Sequence, residues 1–356
     1  MTTEAAAPLE QMEVAVDALK ELTGALFASA GLPTAAARRM AEALVEADQQ
    51  GIVSHGVAMV PVYVDRLAKG LISSSDSASV VQDRDAVAVL DAGHMFGHLA
   101  AEQAMTLATT KAAKYGIAAV SVRHGFHFGV AGRYTAQAAE AGCIGIAMSN
   151  TRPMMAAPGG LKAIVGNNPI AIAAPSASGV PIMLDMALSE AAFARIRQAA
   201  RRGEPIPANW AVAPDGSPTT DPGEAIAGTI LPVGGAKGFA LSLLVDVMCG
   251  VLSSGAWGDQ VNTLFGDQLN DCSFLFIAID IGHFRPLAEF NAEADDVRSY
   301  VRNAPTRDGK PGLAPGDRRA ALAAQQAERV MVDLVVLRQL RQCAERRGVN
   351  ASALTT

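Results

Sequence analysis

AVAVLDAGHMFGHLAAEQAMTLATTKAAKYGIAAVSVRHGFHFG, residues 86–129, carries the pattern that decides the fold. It opens on a short apolar run (86–91), passes through an Ala-rich stretch (98–115) stopped by Gly116, and returns to an apolar run (117–122). Apolar runs of a few residues suit strands, whereas longer periodic stretches ending on glycine suit helices. The alternation continues through 131–141, stopped by Gly142, and into runs at 144–148 (IGIAM), 169–174 (PIAIAA) and 181–186 (PIMLDM). Strands interleaved with helices imply an α/β layer structure.

Outward from this block the pattern is helical. Residues 10–29 place Met12, Val16, Leu19, Leu22 and Leu26 at helical spacing, Thr34 is expected to cap a second helix over 35–50, and 57–68 forms a third, ended by Gly70. Beyond a Gly/Pro-rich stretch at 203–235 come an apolar helix at 238–254 and a late strand at 273–280. Residues 287–303 and 316–347 return to helix, joined by the polar segment 304–315. The expected organisation is therefore a small helical domain from 1–80 plus 300–356, and an α/β domain over 81–299.

Composition removes several classes of function. The formal net charge is −6 and no basic patch appears, which argues against nucleic acid as a partner. Arg195, Arg197, Arg201 and Arg202 are interrupted by apolar residues and fit one solvated helix face; Arg338, Arg341, Arg346 and Arg347 fit a helix C-terminus. No apolar run reaches the ~18 residues that span a bilayer. Glu4, Glu10, Glu13 and Asp17 exclude a signal peptide from residues 1–20. Cys143, Cys249, Cys272 and Cys343 lie far apart without metal or dithiol spacing, so a reducing cytoplasm is expected. A charged fraction of 18% in a chain this apolar suggests surface buried between subunits.

The chemistry-bearing residues cluster beside glycines. His55, in Ser54-His55-Gly56 just before a helix, can give a proton to a carbonyl oxygen and take it back, or can be a plain first-turn residue behind an N-cap serine. His124 and His127 follow a predicted strand, where α/β sheets gather ligands; a metal held by that pair is the rival, weakened by the lack of a nearby carboxylate or cysteine. Gly93 and Gly97 argue against a functional His94/His98 face. Asp185 ends a strand, where it can accept from ribose hydroxyls, fix an imidazole, or simply start the next helix. Pro232-Val233-Gly234-Gly235-Ala236-Lys237-Gly238 is the best phosphate cradle in the chain. No G-x-G-x-x-G follows a strand and opens a helix, so a Rossmann site is not expected.

Taken in order, several motifs resemble the malate/L-lactate dehydrogenase family that also holds sulfolactate, ureidoglycolate and diketogulonate dehydrogenases and piperideine-2-carboxylate reductases. They are Ser54-His55-Gly56-Val57 with Pro61, Tyr63 and Arg66; His127-Phe128-Gly129 with Gly132 and Tyr134; Gly142-x-Ile144-Gly145-Ile146; and Ala157-Pro158-x-Gly160. Gly166-x-Asn168-Pro169, Leu184-Asp185-Met186-Ala187-x-Ser189, Pro218-Thr219-Thr220-Asp221-Pro222 and Leu231-Pro232-x-Gly234-Gly235-x-Lys237-Gly238 complete the series. The resemblance implies a non-Rossmann malate/L-sulfolactate dehydrogenase-like α/β fold with an added helical domain. It also implies a homodimer or higher homo-oligomer, and NAD or NADP exchanging a hydride with a small 2-oxo or 2-hydroxy acid. It makes His55 the acid/base, with His127 and Asp185 in the same cleft. It assigns Thr151, Asp185, Met186, Ala187, Gly235, Lys237 and the late loop Gly316, Asp317, Arg318 to the dinucleotide, and Ser54, Met59, Asn168 and Arg152 to the substrate.

The chain departs from that pattern at Met59, where many relatives carry an arginine that clamps a substrate carboxylate. Either Arg152, Arg133 or Arg123 supplies the charge, or the substrate is not a simple 2-oxo acid. Asn167, where relatives often have threonine, and Asp317, where they often have glutamate, are milder departures. Three alternatives stay open: reduction of a cyclic imino acid, a metal-dependent hydrolase or lyase on His55, His124 and His127, and a dinucleotide-binding protein without turnover.

Overall fold

The structure is a computed structural model describing residues 10–352, so the part of the signal-peptide expectation that rests on Glu4 lies outside it. In chain order the elements begin β1 (Gln11–Ala15), α1 (Val16–Ser29), α2 (Thr34–Gln49), α3 (Val60–Ala68), β2 (Ser79–Arg84) and β3 (Val87–Asp91). Next come α4 (Gly97–Tyr115), β4 (Ile117–Gly125), α5 (Ala131–Glu140), β5 (Cys143–Ser149), β6 (Met155–Ala156), β7 (Ala163–Val165), β8 (Ile170–Ala174) and β9 (Ile182–Met186). They continue with α6 (Phe193–Arg202), β10 (Ala211–Val212), α7 (Pro222–Ala227), β11 (Thr229–Ile230), α8 (Ala236–Asp246) and β12 (Cys272–Asp280). The chain closes with α9 (Leu287–Arg302), α10 (Asp317–Gln325), β13 (Arg329–Asp333) and α11 (Leu334–Arg347).

The central sheet has the order β2-β3-β4-β12-β5-β8-β9. Only β3 and β4 pair in parallel; β12 lies antiparallel to both β4 and β5 and separates them. Each expected strand of the middle block is present, and the late strand is the wedge that takes the topology away from a doubly wound parallel sheet. Side chains alternate across β12, so its two faces bury different things. Phe274, Phe276 and Ala278 face the main core under α4 and α5, whereas Leu275 meets Val245 and Cys249 of the helix that begins with α8.

The main apolar core runs without a break from the terminal helices (Leu19, Leu26, Met40, Leu44, Leu337, Leu340) into the sheet layer (Leu90, Val120, Phe274). A separate small core under the sheet β10-β11-β6-β7 holds Met155, Val165, Ile196, Ala211 and Ile230.

Two expectations at the chain ends need correction. Residues 11–15 form β1 rather than the start of a helix, because Met12 and Val14 alternate inward and pair with β13, Val14 opposite Val330. β13 interrupts the helix expected over 316–347 for the same reason: Val330 and Val332 point inward with period two. Thr34 is the first helical residue, with Pro33 at the N-cap and no side-chain cap bond. All four cysteines are free and buried.

Gly97, at the start of α4, abuts the backbone of Phe126 and His127; a Cβ there would overlap the Phe126 carbonyl oxygen. Gly97→Ala is expected to lower unfolding free energy by about 1–3 kcal/mol. Turnover should fall further than stability does, because the His127 backbone must move; denaturant midpoints and rates at one temperature check both.

Candidate active site

The site starts from a buried carboxylate. Asp48, in the last turn of α2, accepts a hydrogen bond from Val57 N at 2.8 Å. Gly56 lies so close that any Cβ would overlap this carboxylate, which is why glycine follows His55. Burial pushes the Asp48 pKa up to about 7, only partly offset by the bond from Val57. Asp48 thus fixes the turn that presents Ser54 and His55 at the mouth of α3.

His55 is partly buried, with Nδ1 2.8 Å from Ser54 Oγ. Its ring lies 5.4 Å from that of His127, which in turn bonds Tyr63 Oη through Nδ1 at 2.6 Å. Tyr63 is fully buried and its pKa is driven well up by desolvation, so it donates to His127 Nδ1. His98 completes the group, 6.2 Å from His127 and 5.8 Å from Tyr63, ring to ring. Nothing local to His98 marks it for a role; the close approach of α4 to the loop after β4 brings it here. His124 turns instead to Asp91 at 3.1 Å and to His94, so the expected His124/His127 neighbourhood is divided between two clusters.

Burial lowers the pKa of each imidazole of the group, His98 to about 3 and His127 well below its usual value. His55 is also lowered by burial, but Asp185 pulls in the opposite direction. Asp185 acts on His55 through its charge; its Oδ2 accepts from Gly132 N at 3.0 Å and Arg319 Nη2 at 2.7 Å. Arg319, rather than Arg318, is therefore the late-loop arginine that reaches the site; Arg318 is exposed.

The residues assigned to a dinucleotide line one edge. Leu188 N bonds Asn167 O and Val233 N bonds Leu188 O, which sets Met186-Ala187 beside the 232–235 turn and near Thr151. Gly234 and Gly235 have φ of +61° and +65° with open space where side chains would stand, and α8 begins directly after them with Lys237 exposed. Positive φ, open surroundings and a helix N-terminus with a lysine fit a diphosphate.

Other assigned residues are committed inside the protein. Asn168 is fully buried, its Oδ1 accepting from Thr151 N and its Nδ2 donating to Ser242 O, so it holds the wall rather than a substrate. Asp317 is buried in a two-bond pair with Arg302 at 2.8 Å and is held further by Ala314 N; it closes the loop from within. Gly316 (φ +100°) packs on Pro181 and Met183. Met59 belongs to the apolar core, and Arg152 sits over the Phe193 ring, 5.7 Å from its centroid.

A cluster of imidazoles and an exposed glycine–lysine turn, on a sheet without Rossmann order, are the equipment of a dinucleotide-dependent oxidoreductase. Residues 14–341 match the family model described as malate/L-lactate dehydrogenase. The malate dehydrogenase of Pyrococcus abyssi is 40% identical over 282 residues, covering 77% of either chain. The malate/(S)-sulfolactate dehydrogenase of Methanothermus fervidus is 35% identical over 311 residues, 87% of this chain and 90% of the relative. The solved structure of sulfolactate dehydrogenase from Methanocaldococcus jannaschii superposes with a TM-score of 0.90 at 32% identity, covering 96% of this chain and 99% of that one. Other relatives are named for NADP(+), the sulfolactate enzyme of Chromohalobacter salexigens, and for NAD(+), the ureidoglycolate enzyme of Escherichia coli. The chain belongs to the malate/L-lactate dehydrogenase family and is an NAD(P)-dependent dehydrogenase.

Asp48 makes stability depend on pH in a stated direction. Its folded pKa of about 7 lies above that of an unfolded aspartate, so its contribution is present at low pH and is lost as pH rises through 7. Asp48→Asn keeps an acceptor for Val57 but removes the charge. Its unfolding free energy relative to wild type should rise between about pH 4 and pH 7, by up to about 1.4 kcal/mol per pH unit, and level off above pH 7. A gap that stays constant across that range refutes the assignment.

Proposed function

We propose that the chain exchanges a hydride between bound NAD(P)H and the α-carbon of a small 2-oxo or 2-hydroxy acid, with His55 moving the accompanying proton. The observation that carries this role is electrostatic. Of the three crowded imidazoles, His55 is the one with a carboxylate, Asp185, raising its proton affinity, so a proton entering the group settles there. Ser54 engages Nδ1 and leaves Nε2 for the substrate oxygen. His127, kept neutral and oriented by Tyr63, supplies a second polar wall. Thr151, Met186, Ala187, Gly235 and Lys237 hold the dinucleotide, with Gly316 and Asp317 shaping the loop that carries Arg319 to Asp185.

The partner in solution is a second copy of the chain. Leu241, Leu243, Leu244, Val247, Val251 and Leu252 form an outward apolar series along α8 and its continuation, each 40–62% exposed, far more apolar surface than one helix of a monomer leaves wet. Four free buried cysteines support a reducing cytoplasm, and among the described residues no helix is long and apolar enough to cross a membrane.

His55→Ala should cut turnover by roughly 10²–10⁴-fold while quenching of nicotinamide fluorescence still reports dinucleotide binding; near-normal turnover would defeat the role. The substrate panel is 2-oxo acids, sugar acids and cyclic imines with each reduced cofactor, followed at the nicotinamide absorbance. In the reducing direction the rate should fall as pH rises through the His55 pKa, which lies below its usual 6.5. Asp185→Asn removes the carboxylate that supports the charged imidazole, so that fall should begin at still lower pH.

A further inference from the structure

A 2-oxo acid places its carboxylate one bond from the carbonyl carbon. If His55 protonates the carbonyl oxygen, the group that receives the carboxylate must lie within one side chain of that imidazole. The apolar core takes Met59 out of consideration. Arg123 is held by Asp91 at 2.9 Å, Arg319 by Asp185 at 2.7 Å, and Arg66 donates to the carbonyls of Gly266 and Gln268. Arg152 lies over the Phe193 ring. One cation remains in the right place: Arg133, in the first turn of α5, lines the same pocket as His55, His98, Val130, Glu46 and Gln50.

Arg133 already has an anion. It pairs with Glu46 of α2, and the two side chains are 26% and 36% exposed, so the pair sits at the pocket mouth rather than deep in the core. A guanidinium presents a planar fork suited to a carboxylate, and Glu46 occupies it from the protein's side. Gly132, the preceding residue, donates its N–H to Asp185, so the α5 turn that carries Arg133 is fixed to the carboxylate that acts on His55.

We propose that Arg133 is the specificity-determining clamp for the substrate carboxylate, and that Glu46 is its resident stand-in, displaced when substrate enters. This rests on the 2-oxo/2-hydroxy acid reading above. The site then selects substrates bearing one carboxylate beside the reacting carbon. In the free pocket Glu46 offsets the Arg133 charge, and it moves toward solvent when substrate enters.

The test separates clamp from scaffold, because Arg133→Ala and Glu46→Gln break the same ion pair. As a clamp, Arg133→Ala raises KM for the 2-oxo acid by roughly 10- to 100-fold, with a smaller change in kcat and an unchanged dinucleotide Kd. Arg133→Lys falls between, since charge remains without the fork. Glu46→Gln lowers KM, because the clamp no longer has a competitor. The methyl ester of the same 2-oxo acid loses little on Arg133→Ala. If both variants raise KM alike, or lower melting temperature alike with KM unmoved, the pair is scaffold and the proposal is overturned. Should Arg133→Ala fail to fold, Glu46→Gln and Arg133→Lys decide: a raised or unchanged KM in Glu46→Gln overturns it. If the wild-type chain turns over no 2-oxo or 2-hydroxy acid with either dinucleotide, the broader reading has failed and the clamp falls with it. If it does turn one over and Arg133→Ala leaves KM unchanged, only the clamp has failed.

Discussion

Asp185 Oδ2 accepts from the backbone of Gly132 and from the guanidinium of Arg319 at once. Those two bonds join the end of β9 to the first turn of α5 and to α10, three elements that share no sheet and come from distant parts of the chain. Both bonds hold the carboxylate in one place. Its field is what distinguishes His55 from the neighbouring imidazoles. Remove that charge and His55 loses the carboxylate that favours its protonated form.

The same economy runs through the rest of the pocket. Tyr63 is buried too deeply to ionise, so it keeps a proton that it can donate to His127 Nδ1. Asp48 is buried beneath the turn it shapes, so Gly56 has no space for a side chain. Burial here decides which groups carry charge, and charge decides which group moves a proton.

Much of this was legible in the residues. The strands of 86–186 and the late strand announce themselves as apolar runs between glycine-stopped helices, since both signals are local. His55, His127, Asp185 and the Gly234-Gly235-Lys237 turn stood out for the same reason. What escaped depends on partners far off in sequence. β1 and β13 are five residues each and become strands only through one another. His98 looked like an isolated residue on a broken helix face until α4 docked against the loop of His127. Asn168, Asp317 and Met59 are of types that suit a site, yet their side chains are used up by the interior. Arg319 was passed over for its neighbour because one residue of helical rotation decides which arginine faces Asp185.

The pairing of β1 with β13 has a consequence for how the molecule is made. Val14 waits for Val330, so β1 cannot find its partner until β13 has been synthesised. Loop closure over that span is entropically costly, and such long-range pairings form late in folding. The apolar face of α1 therefore spends translation without α11, which finally packs on it. Assembly ends as a zip closes, with β1 and β13 meeting over a core already laid down between them.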